Sequence, residues 1–425
     1  MVQGSQKSAL QRGLFQRKER IMGRKGLGAV GTFLVTMLWF HPTSTVWCQS
    51  QPVLTLHSES AALMDGTTGQ ILFQKDPEKP IGPASLVKMM TLYLAFDAIK
   101  RGDVKLDQEE VVSKRAWKMG GSQMFLKVGD RVKFIELIKG VAAISANDAA
   151  MAIAEFLTGS EEVFVHKMNE KAKALGFKHT HFINCHGLHA EGQQTSAMDM
   201  AYLGFHYIRE HPDALKFHSL PEYTYRGIKQ QNWNPLLNRG KGVDGLKTGY
   251  LRTAGYHILF SAKEGSRRLI GVVMGAKGPE RRDRDALKLI GYGFKNFSTR
   301  TLVKEGEVVG KVKVPEGDPP EVALSATKTV MVTVPKDREA SIPLRKEIPS
   351  SGNPPITKGA VLGKLVLEGE GFPTKEIDLV AIQDVRVKSY MIYYIIGFAA
   401  LGCLLGFAFW RRRILGTRRK RKRRK

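Results

Sequence analysis

The spacing of apolar positions changes character along this chain, and the changes divide it into zones. Residues 26–40 form an apolar run behind Arg20, Arg24 and Lys25, followed by polar, turn-rich sequence. A basic start, an apolar stretch of about fifteen residues and a polar exit predict a secretory signal. Cleavage is expected near Cys48 to Ser50, and Met22 offers an alternative start, so residues 1–50 are expected to be an N-terminal extension and signal peptide. Residues 61–75 then read as two strands around a Gly-containing turn, a β-hairpin. Residues 84–100 are almost wholly apolar behind Pro83 and end at Arg101-Gly102, the pattern of a buried helix.

Helical spacing dominates to about residue 209, with amphipathic or apolar stretches at 134–141 and 148–157. Three strand-like runs at 243–249, 256–260 and 268–274 predict an antiparallel meander, and 284–297 a closing helix. Strands at both ends with helices between them predict one sheet made from distant parts of the chain, beside a helical lobe. From residue 298 the texture becomes short alternating strands separated by Gly/Pro turns: 302–303, 308–314, 330–334, 361–368 and 376–381. That is the pattern of a small all-β domain. Residues 390–410 carry no charge over a length that crosses a bilayer, with Tyr390, Tyr393, Tyr394 and Trp410 toward the ends. The expected architecture is therefore α+β: a main domain at 51–297, a β-rich domain at 298–386, a single transmembrane helix at 390–410 and a polybasic tail at 411–425.

The net charge of +26 changes this picture less than it promises. Residues 411–425 hold eleven Lys/Arg and no acid, and residues 1–25 carry a net +6, which leaves about +9 for everything else. The body is only mildly basic, and a nucleic-acid-binding reading fails. The tail instead reads as a stop-transfer signal that keeps the C-terminus in the cytoplasm, which puts the body on the outer face of the cytoplasmic membrane. Of three cysteines, Cys48 and Cys403 belong to the apolar end segments, so Cys185 has no partner in the body, which must fold on its core alone.

Candidate chemistry enters through three short motifs: Ser85-Leu86-Val87-Lys88, Ser145-Ala146-Asn147 and Lys247-Thr248-Gly249. At the head of a helix, Ser85 and Lys88 share a face one turn apart, so a buried, neutral Lys88 amine can take the Ser85 proton. Ser145 and Asn147 fall between two helical stretches, where a hydroxyl passes protons and an amide holds a carbonyl; capping of the second helix by Asn147 is the alternative. Lys247 and Thr248 offer a cation and a hydroxyl to a carboxylate, and Gly249 permits close approach of a ligand backbone. A Ser-x-x-Lys pair arises by chance about once or twice in a chain of this length. A second one is indeed present at Ser325 and Lys328, and Ser351-Gly352-Asn353 repeats the Ser-x-Asn pattern. Ser325 and Lys328 adjoin the β-branched run 330–334, and on a strand residues three apart face opposite ways, so this pair is expected to be inert.

The ordered motif set is shared by penicillin-binding proteins and class A β-lactamases. Together with Gly121-Ser122-Gln123, Asn184-Cys185-His186-Gly187-Leu188 and Gly275-Ala276-Lys277, it resembles the low-molecular-weight penicillin-binding proteins that are D-alanyl-D-alanine carboxypeptidases. The resemblance spans nearly all of residues 60–384 and implies a β-lactamase/transpeptidase-like catalytic domain, a C-terminal β-rich domain and membrane tethering. It implies that Ser85 is acylated by peptidoglycan stem peptides ending in D-Ala-D-Ala, with β-lactam antibiotics as covalent inhibitors. By the same resemblance Lys88 is the base, Ser145 and Lys247 relay a proton to the leaving amine, and Asn147 holds the substrate amide. The N–H groups of Ser85 and Tyr250 form the oxyanion hole, and Lys247, Thr248, Gly249, Tyr250 and Arg282 bind substrate. No metal or cofactor is implied, and His186 and His189 are expected to be structural.

Two positions depart from the family pattern: Trp233 stands where members often carry arginine, and Tyr250 where they often carry histidine. The first shifts carboxylate recognition toward Arg282; the second leaves the backbone donor in place. Two other readings stay open on sequence: a class A-like β-lactamase, with Glu191 as the loop glutamate, and a non-catalytic wall-binding homologue.

Overall fold

The computed structural model describes residues 54–338, 342–369 and 372–422. The expected signal segment lies outside the described residues.

The hairpin forms as the alternation predicts, with Ser60–Asp65 against Ile71–Lys75. Its turn is closed by the Asp65 carboxylate, which accepts the N–H groups of Thr67 and Thr68. Ser60–Asp65 also pairs with Arg267–Ala276, two hundred residues later in sequence by register Ser60↔Met274. Arg267–Ala276 pairs with Gly255–Glu264, and that strand with Val243–Leu251. The result is a five-stranded antiparallel sheet with Val243–Leu251 at one edge. Both faces are covered, as period-two alternation requires. Ala62 and Met64 join the core of the helical lobe, whereas Ala61 and Leu63 pack with Ala286, Leu289 and Ile290 of the helix Pro279–Asn296.

The lobe contains Lys88–Arg101, Phe134–Ile144, Asn147–Thr158, Glu161–Ala174 and Ala197–Glu210. Lys88–Arg101 runs through its core and stops at Gly102, whose left-handed φ of 82° ends the helix without a Cβ penalty. Two boundaries differ from expectation. The stretch expected as one helix from residue 84 begins as a 3-10 turn, Ala84–Val87, and becomes α-helical only at Lys88. The cause lies outside the segment, as the site geometry below makes clear. The closing helix starts at Pro279 rather than residue 284, because proline at the first helical position loses no hydrogen bond and presets φ.

The second domain holds a five-stranded sheet in the order Val308–Lys313, Glu321–Ala326, Phe372–Ala381, Val361–Gly369, Leu344–Glu347, with a separate pair Phe297–Val303 and Val330–Pro335. Its own core is built on Val312, Val322, Leu324, Leu365, Ile377 and Leu379. Hydroxyls join the domains: Thr299 donates to Asp65 at 2.8 Å, and Thr333 lies 3.0 Å from Thr68. The final helix, Met391–Lys422, does not stop at Trp410 but continues into the basic tail. Its Met391–Arg413 portion is exposed, and long and apolar enough to cross a membrane.

Candidate active site

Ser85 sits on the 3-10 turn and Lys88 at the first α-helical position, where the Lys88 Nζ donates to the Ser85 Oγ at 3.1 Å. The same amine donates to the backbone carbonyl of His186. Lys88 is fully buried, and burial lowers its pKa to about 7, against the opposing pull of Cys185 and Asp148. Two glycines wedge the nucleophile into place. Gly249 lies so close that a Cβ there would stand 3.0 Å from the Ala84 Cβ and 3.2 Å from the Ser85 N. Gly187, at φ +85°, leaves no room for a Cβ against the Ala84 carbonyl. Squeezed from both sides, Ala84 takes a φ of +52°, which no α-helix admits. An α-helix therefore cannot begin at Ala84. At Gly249 the missing side chain also leaves room for the protein's own backbone at Ala84 and Ser85.

Ser145 follows the helix Phe134–Ile144 in a left-handed conformation, φ 61°, and its buried Oγ has no hydrogen-bond partner among the described residues. Asn147 opens the next helix but does not cap it; the cap position is Ala146. Its side chain instead donates to the Gly120 carbonyl at 2.6 Å, and its N–H to Ser122 at 2.7 Å. The neighbouring Asp148 escaped sequence reasoning. Its carboxylate accepts the N–H groups of Met124 (3.0 Å) and Leu126 (3.1 Å), and burial raises its pKa. Asn147 and Asp148 thus pin the 120–126 loop beside the cleft.

The Lys247 Nζ is buried and donates to the Thr248 carbonyl at 3.0 Å. Burial lowers its pKa well below the ordinary lysine value, and the charges of Lys88 and Arg282 add to the effect. The Thr248 hydroxyl reaches the Trp233 carbonyl at 3.5 Å, while the Trp233 indole N–H donates to Ile144 at 3.0 Å. Trp233 therefore ties the Ser145 turn to the Lys247 strand. Tyr250 is 53% exposed and stacks on Tyr256 with ring centroids 4.3 Å apart. Arg282 is buried and bound to Asp283 at 2.7 Å, so it reaches the cleft through its field on Lys247.

The remaining candidates separate cleanly. Cys185 is buried, burial raises its thiol pKa well above normal, and its sulfur faces the Ala150 carbonyl, an inert environment. His186 lies 3.3 Å from Glu161, and its Nδ1 accepts the Leu188 N–H, a structural use. Burial alone would raise the Glu161 pKa, yet hydrogen bonds from His186 and the Cys185 N–H hold it at about 2. Asp97, Glu210 and His211 could hold a metal by spacing, but Lys171 already sits 3.0 Å from Asp97. Ser325 and Lys328 do not share a strand as expected. Ser325 ends Glu321–Ala326 and Lys328 lies in the bend that follows, so the pair is separated by the turn itself.

The D-alanyl-D-alanine carboxypeptidase family model matches residues 46–278, more than half of the chain. The chain belongs to that family. The model of the penicillin-binding protein 5 C-terminal domain matches residues 297–387. The chain is 36% identical over 353 residues to D-alanyl-D-alanine carboxypeptidase DacF of Bacillus subtilis, covering 80% of this chain and 89% of that protein. It is also 36% identical over 338 residues to DacA of Escherichia coli K12, covering 78% and 84%. Penicillin-binding protein 5 from Haemophilus influenzae superposes with a TM-score of 0.72 at 35% identity, over 79% of this chain and 99% of that one. Penicillin-binding protein D2 from Listeria monocytogenes in its ampicillin-bound form gives 0.53 at 30% identity, over 57% and 100%. This carboxypeptidase is accordingly a serine hydrolase of the penicillin-binding class.

Proposed function

We propose that Ser85 is the nucleophile that removes the terminal D-Ala from peptidoglycan stem pentapeptides, and that Lys88 is its base. The observation that carries this is the buried Lys88 amine 3.1 Å from the Ser85 hydroxyl, with a pKa near 7 that leaves a neutral fraction at physiological pH. Lys88 takes the hydroxyl proton as Oγ attacks the carbonyl of the penultimate D-Ala. The N–H groups of Ser85 and Tyr250 receive the developing oxyanion. The scissile C–N bond breaks and the leaving amine takes a proton by way of Ser145 and Lys247. Water, activated by Lys88, then hydrolyses the Ser85 ester. Asn147 holds the substrate amide; Lys247, Thr248 and Gly249 receive the terminal carboxylate, and Arg282 strengthens that positive end from behind. The unpartnered Ser145 hydroxyl supports a relay role, since it is the one buried hydroxyl of the three motifs with no fixed acceptor among the described residues.

Penicillin presents the same acyl chemistry and should form a stable Ser85 ester. Purified protein should be labelled stably by fluorescent penicillin and release D-Ala from a stem pentapeptide. Rapid penicillin turnover without D-Ala release would move the assignment to a β-lactamase; neither activity would make the chain a wall-binding homologue.

The apolar helix with Arg411, Arg412 and Arg413 behind it supports a single C-terminal pass through the lipid bilayer, with both folded domains, 51–297 and 298–386, on the outer face of the cytoplasmic membrane.

A further inference from the structure

A neutral amine has one lone pair and two N–H groups, and only the lone pair can take a proton from Ser85. At Lys88 one N–H is already engaged: Nζ donates to the backbone carbonyl of His186. That carbonyl therefore governs where the lone pair points, and the inference rests here on the reading of Lys88 as the base.

Glu161 opens the helix Glu161–Ala174, where the free N–H groups of the first turn favour a carboxylate, and it is buried. Its two oxygens serve opposite sides. Oε1 accepts the Cys185 N–H at 3.1 Å and stands 3.3 Å from the His186 Nε2, so one atom grips both the residue that carries the carbonyl and the residue before it. The His186 ring is oriented for this contact. Its Nδ1 accepts the Leu188 N–H at 3.2 Å, which leaves the proton of the neutral ring on Nε2, facing Glu161. Oε2 meets Arg115 at 2.6 Å, and the same guanidinium reaches Glu162 at 2.9 Å. The Arg115 side chain is 46% exposed, so the line of contacts runs from solvent to the Lys88 amine.

Two other groups hold the loop. The Thr91 hydroxyl donates to the Cys185 carbonyl at 2.6 Å, and the Asn184 Oδ1 accepts the Gly187 N–H at 2.6 Å. Thr91 moves with the Lys88 helix and Asn184 with the loop itself. Glu161 supplies a reference outside both.

We propose that Glu161 is a positioning residue for the base: by gripping Cys185 and His186 it sets the carbonyl that turns the Lys88 lone pair toward Ser85.

The test reads two quantities on the full chain with fluorescent penicillin: the dissociation constant of the complex before acylation, and the first-order rate constant of acylation within it. Only folded enzyme is labelled, so this rate constant does not depend on how much of a sample has folded. Glu161→Leu keeps the bulk and offers no acceptor. Acylation should slow by about 10²-fold, the cost of a displacement of about 1 Å between reacting groups, with the dissociation constant unchanged. Glu161→Gln keeps a carbonyl oxygen for Cys185 and His186 but loses the ion pair with Arg115, so it should slow acylation only about threefold. His186→Phe retains Glu161 and loses the ring contact; it should slow acylation about tenfold, and it carries the test should Glu161→Leu not fold. A lower melting temperature in these variants with an unaltered acylation rate constant would overturn the proposal. So would a Glu161→Gln rate as low as that of Glu161→Leu. Undiminished acylation in Lys88→Met would instead overturn the base reading, and the positioning role with it.

Discussion

Ser85 and Lys88 stand three residues apart in the first domain; Ser325 and Lys328 stand three residues apart in the second. In the first, a 3-10 turn runs into a helix whose opening residue is buried under the His186 loop, and amine and hydroxyl meet at 3.1 Å. In the second, Ser325 is held by pairing on both sides of its strand, and Lys328 projects from an exposed bend. Burial separates the two pairs more than spacing does. A lysine in water stays protonated and cannot act as a base at neutral pH, whereas the buried Lys88 has surrendered most of that preference. The chemistry thus depends on the packing around the motif, to which Gly187 and Gly249 contribute by leaving room for the nucleophile segment.

The largest contrast is expected from the serines. Ser85→Ala should abolish penicillin labelling and cut D-Ala release by about 10³-fold or more, as loss of a nucleophile does. Ser325→Ala should match the unaltered protein in both assays, and a deficit there would break the comparison. Next come the lysines. Lys88→Met should slow acylation by about 10²- to 10⁴-fold, the range of a lost general base, while Lys328→Met should leave it alone. In the unaltered protein the acylation rate should climb with pH around a midpoint near 7, because the active form of Lys88 is the deprotonated one. Stopped-flow acylation rates that stay level across that range would remove Lys88 from the base role. The smallest contrast concerns two left-handed glycines. Gly359, at φ +88°, has open space around it, so Gly359→Ala should cost about 1 kcal/mol of stability by strain alone. Gly187→Ala meets the Ala84 carbonyl as well, so it should lower the melting temperature further and also slow acylation.

Much of this was legible before any coordinates. The meander, the hairpin and the buried helix declare themselves through period-two and all-apolar spacing, and the motifs through residues whose chemistry has few other uses. What sequence could not reveal depends on contacts between distant segments. Asp148 looks like an ordinary acid in the first turn of a helix, a favourable place by itself, yet it serves a loop more than twenty residues earlier. The 3-10 turn at Ala84–Val87 opens on a residue packed against glycines one hundred and more residues away. Trp233 reads as a departure from pattern, and only the fold shows it bonded to both walls of the cleft. The strand Glu321–Ala326 is a different case: Val322, Leu324 and Ala326 alternate into the core, a period-two signal carried by the sequence itself.

One small feature near the C-terminus governs how far this enzyme can reach. Gly317 and Asp318 pair with Arg386 and Val387, the Lys388 N–H donates to Glu316 at 2.7 Å, and the apolar helix begins at Met391. Only three residue steps separate that last bond from the helix, a leash of about 11 Å at full stretch. So short a leash lets the folded body swivel but not wander. Whatever the helix is set in, the two folded domains travel with its first turn, free to turn about that point but never to part from it.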